Sequence, residues 1–172
     1  EDRTREIIEE YLKNYSFIKL FDNPKKIAPA AQNIGVQNAR GEIIMIMDAH
    51  VTYEKDYISR CLEYLRKYNA DNVGGVLKTS PAANTTLAKA IAISLSHLFG
   101  VGNSYFRTGS KEIKWVESVP YGCYKREVYK KIGFYNENLA RSYDMEFNLR
   151  LKKAGGKSLL IPEISCCYYP KS

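Results

Sequence analysis

Two rhythms alternate along the chain, apolar residues at three- and four-residue spacing and short continuous apolar runs. Over 3–15 the residues Ile7, Ile8, Tyr11, Leu12 and Tyr15 share one face, which predicts an amphipathic helix. Residues 17–21 read as a short strand, closed by the turn-forming Asp22-Asn23-Pro24. Pro29 suits a helix start, where its missing N–H would be unpaired anyway. That helix runs to about Ala39, presents Ala30, Ile34 and Asn38, and stops at Gly41. Next, Ile43-Ile44-Met45-Ile46-Met47 is too short for a free-standing helix and predicts a strand buried on both faces. A helix over 55–68 follows, with Ile58, Cys61, Leu62 and Leu65 inward. The strand over 72–78 contains Gly74-Gly75, which marks a bulge or a close backbone approach. Helix and strand alternate throughout this half, so a parallel sheet covered by helices on both faces is expected.

The second half changes character. A helix of small and apolar residues spans 87–99, and a polar, Gly-containing loop spans 100–114. A strand over 115–119 enters Pro120-Tyr121-Gly122-Cys123. Helices over 125–132 and 142–154 follow, the latter closed by Gly155-Gly156, and strands at 158–161 and 164–169 finish the chain. There is no repeat, low-complexity segment or internal linker.

Composition narrows this picture only modestly. At 172 residues, 45% hydrophobic, the chain can bury one good core and is short for two. A net charge of +7 favours anionic partners, but a solvated basic surface is the commoner explanation, so charge alone decides little. The four cysteines, Cys61, Cys123, Cys166 and Cys167, have neither disulfide-framework nor zinc-site spacing. They read as small core residues of a reducing compartment. The most apolar stretch, 87–101, carries Lys89 and His97 and is no membrane span. No signal peptide is visible, and a chain opening on Glu1 is expected to be cut from a longer protein. No RNA-recognition signature, helix-turn-helix or zinc finger accompanies the many tyrosines, so nucleic acid is not an expected partner.

Three stretches carry candidate chemistry. Asp48 and His50 end the apolar strand, and side chains at i and i+2 of extended chain share a face, so both could ligate one cation. A carboxylate with an imidazole suits manganese or a similar divalent ion, whereas magnesium prefers oxygen alone. A turn-forming Asp beside a surface His is the plain alternative. Asp144 and Glu146 open a helix, where the helix dipole alone explains acids, or where one serves as a general base. Asp144 shares a face with Asn148 and Glu146 does not, so one acid faces any given cleft. Tyr121-Gly122 could stack on a sugar while backbone approaches a ligand, or could be a packed turn.

In order, these stretches resemble the family 2 glycosyltransferases of the GT-A fold, particularly the exopolysaccharide type. The matching residues are Asn23-Pro24-Lys25-Lys26, Pro29-Ala30-Ala31-Gln32-Asn33-Ile34-Gly35, and Ala39-Arg40-Gly41-Glu42 leading into Asp48-Ala49-His50. They continue with Val101-Gly102-Asn103-Ser104, Val119-Pro120-Tyr121-Gly122, and Asp144-Met145-Glu146-Phe147-Asn148-Leu149-Arg150-Leu151 before Lys153-Ala154-Gly155-Gly156.

The resemblance implies a three-layer α/β/α sandwich lacking the first strands, in one domain. Residues 1–80 would be the remaining donor and metal-binding part and 81–172 the acceptor-binding part. It implies inverting transfer from a nucleotide-diphosphate sugar, a UDP-sugar foremost, to a glycan or lipid-linked acceptor. Asp48 matches the first acid of the metal motif and His50 stands at the second, holding a divalent cation (Mn or Mg). Asp144 matches the catalytic base, with Tyr143 where relatives carry glutamate. Tyr121, Gly122 and Arg141 would line the acceptor side, and Asp48, Asn33, Lys25 and Lys26 the donor phosphates. Asp2 and Thr4 resemble the end of an Asp/Ser-rich turn, and the nucleobase-binding strands before it are missing. The Gln-x-x-Arg-Trp motif of processive synthases is missing too. The expected place is the inner, cytoplasmic membrane face, with peripheral membrane association through the full-length protein. Without the nucleobase strands, a non-catalytic sugar-nucleotide or glycan-binding domain is the alternative.

Overall fold

The longest strand, β6 (Ser158–Tyr168), is the spine of the sheet. The computed structural model describes residues 3–102 and 104–170, so Asp2 and Asn103 of the motifs above lie outside the described residues. Strand β3 (Asn72–Thr79) runs parallel to β6, from Asn72 opposite Ser158 to Thr79 opposite Tyr168. The other edge of β6 takes β4 (Lys114–Val116) at its start and β2 (Val51–Tyr53) at its end, both antiparallel. Beyond β3 come β5 (Cys123–Lys125) and then β1 (Ile43–Met45), giving the order β1-β5-β3-β6-β2.

The sheet is therefore mixed, not parallel as the alternation of elements predicts. Among the described residues only β3 and β6 pair in parallel. A helix between two strands announces a crossover without saying which strand will become the neighbour. Here β5 enters between β1 and β3 and runs against both.

Register irregularity in β6 explains the glycine pair. Between Gly75 and Val76 the partner jumps from Ile161 to Ser165, and Pro162, which has no N–H to donate, lies in the gap. The two strands expected at 158–161 and 164–169 are thus one bulged strand. A Cβ on Gly75 would lie 2.2 Å from the Ile164 carbonyl oxygen, and one on Gly74 would lie 2.7 Å from Val119 Cβ. The first glycine admits the bulge. The second lets the segment before Tyr121 rest on β3.

Alternation along the strands separates two cores. One gathers Val73, Leu77, Cys123, Leu159 and Ile161 under helix α3 (Tyr57–Lys67), which contributes Tyr57, Cys61 and Leu65. The other sets Ile44 and Tyr124 against Val36, Val128, Tyr129, Phe147 and Leu151. Those come from α2 (Ala28–Asn38), α7 (Arg126–Ile132) and α8 (Tyr143–Lys153). Adjacent Cys123 and Tyr124 thus face opposite layers, and the domain is an α/β/α sandwich. Phe147, fully buried among Tyr124, Tyr129 and Tyr135, supplies about 1.5–3 kcal/mol from side-chain burial. All four cysteines are free thiols, and Cys61, Cys123 and Cys166 are buried as expected.

Several local expectations yield to tertiary context. Strand β1 is at the sheet edge, where Ile44 alone of its three residues is buried, and Met47 beyond it is exposed. The run is covered in part on both faces, with Ile43 and Met45 half-buried against one core and Ile44 and Ile46 against the other. Among the described residues β1 pairs with β5 alone. Residues 17–21 form no strand and Phe17 is exposed, since no described strand lies alongside to supply a ladder. Helix α1 (Thr4–Asn14) forms as predicted but buries none of its residues. In α2 the inward residues are Ala30, Asn33 and Val36, because Asn33 hydrogen-bonds into the chain at Tyr135. Ile58 of α3 is exposed.

The helix expected over 87–99 divides. Its first part is α4 (Thr86–Ser94), with Thr85 Oγ1 accepting the Ala88 N–H. His97 Nδ1 then accepts the Phe99 N–H and opens α5 (Leu98–Val101). The expected loop also contains α6 (Tyr105–Thr108), which packs on β3.

Candidate active site

Beyond β1 the backbone stays in line for one more residue, with the Ile46 N–H donating to the Gly122 carbonyl at 3.2 Å. It then turns, and Tyr53 holds the turn: its hydroxyl accepts the Asp48 N–H at 2.9 Å. Tyr53 is set by edge contacts with Tyr57 and Tyr121, at centroid distances of 5.0 and 5.7 Å. Its phenol is pushed up to about 12, chiefly by burial, so it stays neutral. The His50 ring meets Tyr168, at the end of β6, edge-on at 5.2 Å. Aromatic posts from β2 and β6 therefore place both candidate ligands.

Asp144 is held differently. It opens α8 after Ser142, whose φ of 58° is left-handed and sets the entry angle of the helix. One turn on, the buried Asn148 ties the start of the helix to the sheet. Its Nδ2 donates to the Asp144 carbonyl at 2.9 Å and to Ser118 Oγ at 3.3 Å. Its Oδ1 accepts from the Tyr124 hydroxyl and Asn72 Nδ2, both at 3.2 Å. Glu146 turns away and pairs with Arg150 at 2.6 Å, as helical spacing requires.

These parts close around one cavity of about 240 Å³. It brings together Asp48, His50, Tyr121, Gly122 and Asp144, from both halves of the chain. Burial raises the Asp48 carboxyl above its usual range; His50 opposes the shift and the charge of Asp144 adds to it. The two carboxylates thus feel one another across the cavity. Tyr121 has a φ of 47°, a left-handed conformation rare for a residue with a side chain. Gly122 is glycine for internal reasons: a Cβ there would meet the Tyr124 ring at 2.4 Å and Asn72 Oδ1 at 2.5 Å.

Lys25, Lys26, Asn33 and Arg141 do not line the cavity. Asn33 is buried and engaged: Nδ2 donates to the Tyr135 carbonyl and Glu137 Oε1, and Oδ1 accepts the Tyr135 N–H, each at 2.9 Å. Lys25 pairs with Glu137, completing a clamp on the segment that carries Tyr135 to the cavity wall. Lys26 has a left-handed φ of 53°, and Arg141 is exposed. Gln32 and Arg107 are among the cavity residues to which the sequence assigns no role. Gln32 Nε2 donates to the Tyr143 hydroxyl at 3.1 Å. Its place in the Pro29–Gly35 motif was the one available signal; Arg107 had none.

A divalent cation fits this donor set. Asp48 is half-buried, and among the described residues no side chain hydrogen-bonds to its carboxylate. An imidazole and a second carboxylate stand nearby. Among the described residues no three His, Cys, Asp or Glu side chains form a closed metal cluster. Asp48 and His50 would supply two ligands and leave the remaining positions for oxygen atoms of a ligand.

The glycosyl transferase family 2 model matches residues 1–133. The chain belongs to that family. Succinoglycan biosynthesis protein ExoA of Rhizobium meliloti (strain 1021) is 32% identical over 173 residues, which are 99% of this chain and 52% of ExoA. A Methanococcus voltae relative is 30% identical over 180 residues, 99% of this chain and 54% of that protein. Its name is dolichyl N-acetyl-alpha-D-glucosaminyl phosphate 3-beta-D-2,3-diacetamido-2,3-dideoxy-beta-D-glucuronosyltransferase. The chain spans about half the length of these two relatives. The GalNAc-T7 structure with UDP, GalNAc and Mn2+ superposes with a TM-score of 0.72 at 15% identity, covering 99% of this chain and 36% of that one. The family 2 glycosyltransferase domain thus has the GT-A fold expected from its motifs. Among the described residues no helix is long and apolar enough to cross a membrane.

Proposed function

We propose that the full-length protein transfers a sugar, with inversion, from a nucleotide-diphosphate donor to a glycan or lipid-linked acceptor. The observation that carries this is the convergence of Asp48, His50 and Asp144 on one cavity. Asp48 and His50 would hold a divalent cation, whose charge would favour departure of the nucleoside diphosphate. Asp144 accepts the proton of an acceptor hydroxyl, and that oxygen attacks the anomeric carbon from the face opposite the leaving group. Asn148 and its partners fix the helix start, so the backbone that presents the carboxylate is in place before the hydroxyl arrives.

The donor occupies the flank of Asp48 and His50, and the acceptor that of Tyr121, Gly122 and Asp144. The M. voltae relative, whose name specifies a dolichyl-linked sugar phosphate, supports a lipid-linked acceptor. Such an acceptor would place the enzyme at a membrane surface, to which the +7 charge is suited. Asp144→Asn in the full-length protein tests the base. Turnover should fall by about 10²–10⁴-fold, the usual contribution of a general base, with nucleotide affinity unchanged. Wild-type turnover by that variant would sink the assignment.

A further inference from the structure

One cation in the cavity is unused by the reaction as described. Arg107 sits on α6 and lines the cavity with Asp48, His50 and Asp144. Its Nη1 is buried without a hydrogen-bond partner. Among the described residues nothing accepts a hydrogen bond from its side chain, and neither cavity aspartate is ion-paired with it. Arg107 is half-buried, its guanidinium 5.4 Å from the centre of the Phe106 ring, so the ring meets its face while Nη1 is left without an oxygen acceptor. A buried donor without an acceptor is destabilising, and a guanidinium is a planar fork matched to carboxylate or phosphate oxygens. The surroundings of Arg107 are therefore complementary to an anion that the protein itself does not supply.

Its position tells which substrate carries that anion. A second groove runs along the outer edge of β1, from Ala28 and Gly35 to Met47. It meets the cavity at Gln32, Ile46, Asp48, His50 and Tyr143. Phe106, Arg107 and residues 118–121 line the cavity alone, away from that groove. A diphosphate at Asp48 and His50 lies where the two spaces meet, so Arg107 is on the side left to the acceptor. With the cation at Asp48 and His50 engaged by the diphosphate, an acidic acceptor entering beside Asp144 would be repelled unless a further positive charge opposed it.

We propose that Arg107 receives an oxyanion, phosphate or carboxylate, carried by the acceptor near its reacting hydroxyl, so that the enzyme takes acidic acceptors. The assignment to an acceptor rests on the transferase reading of the cavity. Glucose 1-phosphate, methyl glucuronide and methyl glucoside are the probes for the full-length protein. Each is titrated calorimetrically without donor and then offered as acceptor with a sugar nucleotide. Wild type should favour a charged probe over methyl glucoside. Arg107→Gln should erase that preference, about 10- to 100-fold, the scale of a charge-assisted contact, with UDP or GDP affinity unchanged. Arg107→Lys keeps the charge without the fork and should retain part of it, which separates a lost contact from a lost fold. A response confined to the phosphate probe assigns a phosphate-bearing acceptor, and one confined to the glucuronide a uronate.

Equal handling of the three probes by wild type overturns the proposal. So does a fall in nucleotide affinity in Arg107→Gln as large as that for the charged probes, which gives the residue to the donor. Binding needs no turnover. Arg107-dependent binding of a charged probe by a protein that transfers no sugar would leave the anion site standing and remove the transferase reading.

Discussion

The two aspartates of the cavity are mounted in opposite ways. Asp144 begins a helix whose first turn is tied by Asn148 to Ser118, Tyr124 and Asn72, and through Asn72 to Ser158, a network reaching the three strands β3, β5 and β6. Asp48 lies in the turn beyond an edge strand, and that turn is held by one phenol hydroxyl and aromatic edges. The backbone that carries the proposed base is anchored to the core, whereas the turn that carries the proposed metal ligands is bordered by a groove. The contrast suits the chemistry proposed: proton transfer tolerates little misplacement, while a cation and a diphosphate can complete their own coordination.

That contrast can be broken from either side. The largest effect is expected at the groove side, where Asp48→Ala removes a direct ligand. Loss of an outer-shell partner alone costs about 10–100-fold in metal affinity, so a loss above about 100-fold is expected by manganese titration with UDP present. Unchanged affinity would place the cation elsewhere. Asn148→Leu attacks the anchored side by removing partners of Asn72 and Tyr124 within the core. A stability loss of about 1–3 kcal/mol should appear in denaturant melts, together with a slower reaction. If turnover survives intact, the network supports the fold and not the base.

Tyr53→Phe is gentler, deleting only the acceptor of the Asp48 N–H. A cost of about 0.5–1.5 kcal/mol is expected, visible as a weaker manganese titration with little change in melting temperature. A melting shift without a change in titration would mean that Tyr53 does not position Asp48.

The smallest effect concerns the clamp behind Tyr135. Hydrogen bonds from Lys25 and then Asn33 hold the Glu137 carboxyl below its usual range. A depressed carboxyl contributes stability above its unfolded pKa and loses it as pH falls through the folded one. Glu137→Gln should melt slightly below wild type at about pH 7, and the gap should close as pH falls below the ordinary glutamate range and through the lowered folded pKa. A gap independent of pH would show that charge at Glu137 contributes nothing.

Legibility in the sequence tracks the range of the interaction. Asp144 and Asn148 were placed on one face, with Glu146 off it, because helix geometry acts over a single turn. Gly74-Gly75 announced both a bulge and a close approach, since each is what a missing Cβ allows. The apolar run over 43–47 showed that two faces want cover, but not which neighbours β1 would have. Asn33 is expected at the donor phosphates, yet is consumed by Tyr135 and Glu137, more than 100 residues away. Arg107 has no local pattern at all, because whether its Nη1 finds an acceptor is set by residues far from it in the chain.

By itself, then, the sequence determined the α/β class, most helices, the family and the residue types at the cavity, since periodicity, caps and ordered motifs are local properties. Only the tertiary structure decided that the sheet is mixed, that β1 is an edge, and that Asp48, His50, Tyr121 and Asp144 share one cavity with Arg107. Those outcomes depend on which strands become neighbours and which donors find partners. Neither is encoded within a few residues of the side chains concerned.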